Sequence, residues 1–185
     1  MLILASKSPR RKELLSIITT DFDIIPAVSE ENADSALPPE EFVKALAVAK
    51  AEEVAAKYPK DCIIGSDTVV AAKGEILGKP KDKDDAFRML SLLSGTDHSV
   101  FTGVAVIRDG KTYSFTEETK VRFFPLTEKE INDYIATGEP FDKAGAYGIQ
   151  DLGALLVEGI DEDYYNVMGL PTGRLYRLLK ELSVI

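Results

Sequence analysis

One cysteine and one histidine in 185 residues remove several kinds of chemistry at the outset. Cys62 has no partner for a disulfide and no soft-ligand set around it for zinc. It opens the apolar run Cys62-Ile63-Ile64 and reads as a small buried hydrophobe. With His98 as the only histidine, His-based triads and multi-histidine metal sites are excluded. No apolar run approaches the roughly 20 residues that span a bilayer, and the N-terminus lacks a signal-peptide pattern. A cytoplasmic address is the expectation. The P-loop pattern of the commonest nucleoside triphosphatases is absent as well. So are internal repeats, low-complexity stretches and Pro/Gly-rich linkers, and residues 1–185 read as a single domain, large enough for a substantial core. Positive charge is scarce too: 22 Lys and Arg stand against 31 Asp and Glu, a net charge of -9. That argues against a nucleic-acid polymer or a membrane surface as partner, since both need a positive field. A small anionic ligand stays open, provided a local basic cluster, helped by a divalent cation, receives it.

The first eleven residues supply part of such a cluster. Leu2-Ile3-Leu4 reads as a short strand that runs into a helix with Ser8 as N-cap and Pro9 at the first helical position. Leu14, Leu15, Ile17 and Ile18 give that helix its buried face. Ser6, Ser8, Arg10 and Arg11 therefore gather at one strand end, with the N–H groups of a helix start. This is equipment for a polyphosphate, or else a capped surface helix with solvated arginines.

Two residues sit where their chemistry is out of place. The stretch from Pro38 to Val54 reads as an amphipathic helix whose apolar stripe holds Phe42, Val43, Leu46, Ala47 and Val54. Lys50 projects from the middle of that stripe, so it must snorkel or meet an anion. Asp67 interrupts Cys62–Ala72, a run that reads as a central strand, and a carboxylate there must be hydrogen-bonded, paired or metal-bound. Acids in apolar strands are rare without a task, which favours a functional carboxylate over a structural one.

The remainder reads mostly as scaffold. Lys73-Gly74 turns the chain into a hairpin that carries Lys79 back, and a helix spans Asp84–Leu93. Val100–Ile107 and Thr112–Phe124 form strands around the hairpin signal Asp109-Gly110. Thr127 and Glu130 make a capping box for a helix to Ala136, and Pro171 begins a last helix running to about Leu182. The glycine-rich segment Asp142–Gly153 has little helix or strand character. Its Gln150, both donor and acceptor, has the groups needed to read the edge of a base. The order of elements implies a mixed α/β domain on a long twisted sheet.

The chain resembles the Maf family of nucleoside triphosphate pyrophosphatases over essentially its whole length. The resemblance is carried by Ala5-Ser6-Lys7-Ser8-Pro9-Arg10-Arg11, Gly65-Ser66-Asp67-Thr68, Gly78-Lys79-Pro80, Leu93-Ser94-Gly95, Asp142-Lys143-Ala144-Gly145-Ala146-Tyr147-Gly148-Ile149-Gln150 and Asp163-Tyr164-Tyr165-Asn166-Val167-Met168-Gly169-Leu170-Pro171. The Lys143–Gln150 segment is similar to the branch that hydrolyses dTTP and UTP. Ser66 stands where that family has alanine, and Asp151 where it has glycine. The resemblance implies an elongated, twisted mixed sheet with flanking helices and two lobes around a cleft, similar to the inosine triphosphate pyrophosphatase fold. It implies cleavage of dTTP, UTP or modified pyrimidine nucleotides between the α- and β-phosphates, in a house-cleaning role. The alternative is a nucleotide-sensing regulator of septum formation that does not cut. By position, Asp67 matches the catalytic acidic residue, while Arg10, Thr68 and Gln150 match specificity positions. Ser6, Arg11, Glu31, Lys50 and Lys79 match residues lining the same cleft. Mg²⁺ or Mn²⁺ is the implied cofactor, with Glu31 and Asp67 as candidate ligands, and a homodimer is the assembly left open.

Overall fold

The protein is described by a computed structural model that covers residues 1–28, 34 and 36–185. Glu31, the candidate metal ligand, lies outside the described residues. In chain order the elements are β1 (Leu2–Leu4), α1 (Pro9–Ile18), β2 (Asp23–Ile24), α2 (Pro39–Ala55), β3 (Cys62–Ala72) and β4 (Glu75–Leu77). There follow α3 (Lys83–Leu93), β5 (Asp97–Arg108), β6 (Lys111–Phe123), α4 (Glu128–Ala136), β7 (Val157–Asp161), α5 (Tyr164–Met168) and α6 (Thr172–Glu181). Three short 3-10 turns, Glu139–Asp142, Ala144–Ala146 and Asp151–Leu156, lie between α4 and β7. The described strands form a seven-stranded sheet in the order β2-β1-β3-β5-β6-β7, with β4 paired to β3. It is mixed: β1 lies parallel to β2 and β3, whereas β4 and β7 run antiparallel to their partners.

The local reasons are those of the residues. Ser8 caps α1 by accepting from Arg11 N–H, and Pro9 occupies the first turn. Leu14 and Leu15 are buried, but Ile17 is 64% exposed. At 100° per residue Leu14, Leu15 and Ile18 share one arc and Ile17 falls outside it, so the expected four-residue face narrows. The turn at Asp109-Gly110 has both residues at positive φ, 51° and 73°, as a two-residue hairpin of this hand requires. Lys73 and Gly74 do the same between β3 and β4, at 49° and 82°. The capping box of α4 is complete: Thr127 accepts from Glu130 N–H, and Glu130 accepts from Thr127 N–H.

The chain divides into two compact units. The first comprises Met1–Thr68, Thr102–Glu117 and Gly169–Ile185; the second comprises Val69–Phe101 and Glu118–Met168. In the first, Ile3, Ala5, Ile63, Ala105 and Ile107 pack with Ala47, Ala51 and Val54 of α2. In the second, Met89, Leu90 and Leu93 of α3 meet Ile131, Tyr134 and Ile135 of α4, together with Phe123 and Tyr147. Cys62 is buried and unbonded, and burial pushes its thiol pKa up to about 11.

Candidate active site

In the first unit, Asp67 and Lys50 answer each other. Asp67 lies in β3, is 8% exposed, and accepts from Lys50 Nζ at 3.1 Å through Oδ1. Lys50 reaches it from α2, so the lysine on the apolar stripe meets a carboxylate of the protein itself. At an effective dielectric of about 20, opposite charges at this spacing attract by roughly 5 kcal/mol, and removing both from water cancels most of that. Such a pair adds little net stability, which favours a role in chemistry over one in holding the fold.

Arg11 provides a second cation. Its Nη2 lies 3.9 Å from Asp67 Oδ1, with both side chains nearly buried. The guanidinium also donates to three protein oxygens: Nε to Gly169 O at 2.9 Å, Nη1 to Ser6 Oγ at 3.2 Å and Nη2 to Thr68 Oγ1 at 3.0 Å. Each bond fixes its plane beside the carboxylate. Ser6 Oγ in turn accepts from Ser8 N–H, so the hydroxyls that looked ready for a ligand are tied into the start of α1. Thr68 Oγ1 is 2.9 Å from Thr102 Oγ1, and Ser66 Oγ donates to Gly169 O at 3.4 Å. Ser66 thus shares its acceptor with Arg11, which accounts for a hydroxyl where the family pattern has alanine.

The structure therefore brings together Ser6, Arg11, Lys50, Asp67 and Thr68, all within the first unit. Arg10, on α1, is partly exposed. Lys79 and Gln150 belong to the second unit. Lys79 is exposed two residues after β4, and Gln150 is partly buried at the start of a 3-10 turn that its side chain does not cap. Thr102 and Gly169 were not expected. Thr102 carried a signal, a fully buried hydroxyl inside the apolar run of β5. Gly169 acts through its carbonyl, which no residue type announces.

A resident metal needs several converging donors. Among the described residues no three His, Cys, Asp or Glu side chains converge. Among the described residues, which do not include Glu31, the donor offered is the Asp67 carboxylate, whose Oδ2 takes part in neither of the ion-pair contacts made by Oδ1. Asp67 is a hard oxygen donor of the kind that Mg²⁺ or Mn²⁺ takes.

Residues 1–182 match the family model described as Maf-like protein. A dTTP/UTP pyrophosphatase of Carboxydothermus hydrogenoformans is 53% identical over 180 residues, covering 96% of each chain. One of Bacillus cereus is 48% identical over 183 residues, covering 99% of this chain and 96% of its own. Among solved structures, a HAM1 protein from Coxiella burnetii superposes with a TM-score of 0.53 at 15% identity, covering 97% of this chain and 98% of that one. This last likeness concerns the fold alone and agrees with the mixed α/β architecture expected from the sequence. Matched over nearly its whole length by that family model and by relatives about half identical to it, the chain belongs to the Maf family.

Proposed function

We propose that this protein is a nucleoside triphosphate pyrophosphatase that hydrolyses dTTP and UTP to the monophosphate and pyrophosphate. The observation that carries the reading is the nearly buried Asp67 carboxylate set between Lys50 and Arg11. The relatives' activity supplies the substrate class. Water attacks the α-phosphorus and pyrophosphate departs, so negative charge spreads over phosphoryl oxygens in the transition state. Asp67 orients the attacking water and accepts its proton, in the role of a general base. Lys50 keeps the carboxylate aimed and, with Arg10, offers positive charge to the phosphates; catalysis of this kind is chiefly positioning and charge stabilisation.

Arg11 acts mainly as a brace, since its donors already hold Ser6, Thr68 and Gly169. From their chemistry and their place in the family pattern, Lys79 grips phosphate and Gln150 reads the base. Asp67 would hold Mg²⁺ or Mn²⁺, which would supply further charge neutralisation. Pyrimidine triphosphates with modified bases belong to the same substrate class, and the setting is the cytoplasmic nucleotide pool. No described helix is long and apolar enough to cross a membrane.

The test is a screen of nucleoside triphosphates with Mg²⁺ or Mn²⁺ and identification of products. Monophosphate plus pyrophosphate from dTTP and UTP is expected. Diphosphate plus orthophosphate would overturn the reaction type. Tight binding without turnover would favour the sensing alternative.

A further inference from the structure

Gln150 sits at the apex of a bend that the second unit braces from both sides. Two residues before it, Gly148 N–H donates to Tyr134 Oη at 3.1 Å. Two and three residues after it, Leu152 N–H and Gly153 N–H donate to Glu139 Oε2 and Oε1, at 3.3 and 3.0 Å. The two acceptors are joined, because Tyr134 Oη donates to Glu139 Oε1 at 2.9 Å. A phenol and a carboxylate thus hold three peptide N–H groups flanking one amide side chain. Burial pushes the Tyr134 pKa above its usual value, so the phenol remains a donor to Glu139.

The bend is closed tightly. A Cβ on Gly153 would lie 1.7 Å from the Gly148 carbonyl oxygen and 2.9 Å from Tyr134 Oη, so only glycine permits this approach. Asp151, next to Gln150, has a φ of +53°, a left-handed conformation that the surrounding bonds must hold. Tyr134 is anchored in α4, where it is 5% exposed, and Glu139 begins the first 3-10 turn after that helix. The brace therefore transmits the position of a packed helix to a loop that has no ladder of its own.

We infer that Tyr134 and Glu139 are positioning residues for base recognition: they fix the peptide frame from which Gln150 presents its amide to the pyrimidine. The inference rests on the proposed role of Gln150 as reader of the base. A residue of this kind governs how well the nucleoside is bound and leaves the phosphate chemistry to other groups. Removing the brace should raise KM for dTTP and leave kcat nearly untouched. A purely structural role would lower both the melting temperature and kcat together.

Steady-state kinetics on Tyr134→Phe, Glu139→Gln, Glu139→Ala and Gln150→Ala tests this, with inorganic tripolyphosphate as a competitor that has no base. Loss of one or two hydrogen bonds corresponds to a rise in KM of about three- to thirtyfold. Glu139→Ala and Tyr134→Phe are expected to show such a rise, with kcat and the inhibition constant of tripolyphosphate within about twofold of wild type. Glu139→Gln keeps an acceptor for Gly153 and should fall between Ala and wild type. If Gln150→Ala raises KM while folded Tyr134 and Glu139 variants keep the wild-type value, the brace is overturned and the base-reading role stands. If Gln150→Ala itself leaves KM unchanged, the base-reading role fails and the inference falls with it. Parallel losses in kcat, tripolyphosphate inhibition and melting temperature would assign both residues to the scaffold.

Discussion

The two units each hold a nearly buried polar group, and the groups are built in opposite ways. In the first unit the members carry formal charge: Asp67 faces Lys50 and Arg11, and hydroxyls orient the guanidinium. In the second, apart from Glu139, the members are neutral and their partners are largely backbone. Tyr134 and Glu139 hold peptide N–H groups, while His98 Nε2 pairs with Tyr147 Oη at 2.7 Å inside a set of edge-to-face rings. The first arrangement suits charge stabilisation during a reaction. The second suits holding a loop in one shape.

Substitutions can break that contrast, and the largest effect belongs to Asp67. Asp67→Asn keeps size and part of the hydrogen bonding but removes the proton acceptor. A loss in kcat of at least about a hundredfold is expected, as for other general bases, with the circular dichroism spectrum retained. Turnover near the normal rate would make Asp67 a structural residue.

Lys50→Met comes next. It leaves the carboxylate with Arg11 alone at 3.9 Å, so it should cost about 1–3 kcal/mol of stability, less than for a fully buried pair. It should also lower kcat/KM for dTTP roughly ten- to hundredfold, the equivalent of a charge-assisted hydrogen bond. Urea denaturation separates the two effects: Lys50→Met/Asp67→Asn should regain much of the lost stability and none of the activity. Recovery of activity in the double variant would contradict the assignment.

His98 sharpens the contrast from the neutral side. Burial holds its pKa down, at about 4, against 6.5 in the unfolded chain. The unfolded state therefore binds the proton first as pH falls. The stability contributed by neutral His98 is complete above pH 6.5 and is lost between there and pH 4, about 3 kcal/mol in all. Urea denaturation at pH 7 and pH 4 should show wild type losing about that much more than His98→Gln, which cannot titrate. Equal losses would mean that the imidazole is not held neutral. The smallest effect is at Asp151, whose φ of +53° favours glycine. Asp151→Gly should stabilise the protein by about 0.5 kcal/mol, since relief of the left-handed conformation outweighs the entropy that glycine adds to the unfolded chain. Thermal denaturation would detect a loss if that balance were wrong.

What could be read from the sequence follows the same division. Ser8, Pro9, the capping box of Thr127 and Glu130, and the turns at Lys73-Gly74 and Asp109-Gly110 act through local geometry, and all take the expected form. Ile17 belongs to the aliphatic set Leu14, Leu15, Ile17 and Ile18 yet faces solvent, because the buried arc of the helix is narrower than that set. Lys50 and Asp67 each stood out as charges in apolar surroundings. Their pairing did not, because each admitted its own explanation when considered alone. Tyr134 and Glu139 gave no signal at all: a tyrosine on a helix and a glutamate in a turn are ordinary, and their acceptors serve peptide N–H groups. Lys79 takes its proposed role from the family pattern, since an exposed lysine specifies nothing by residue type, whereas the Gln150 amide already had the donor and acceptor that reading a base requires.

The central claim is that water is delivered to the α-phosphorus of a pyrimidine nucleoside triphosphate. Hydrolysis of dTTP in heavy-oxygen water, followed by mass spectrometry of both products, tests it most directly. One solvent oxygen is expected in the thymidine monophosphate and none in the pyrophosphate. Label in the pyrophosphate, or in released orthophosphate, would contradict it.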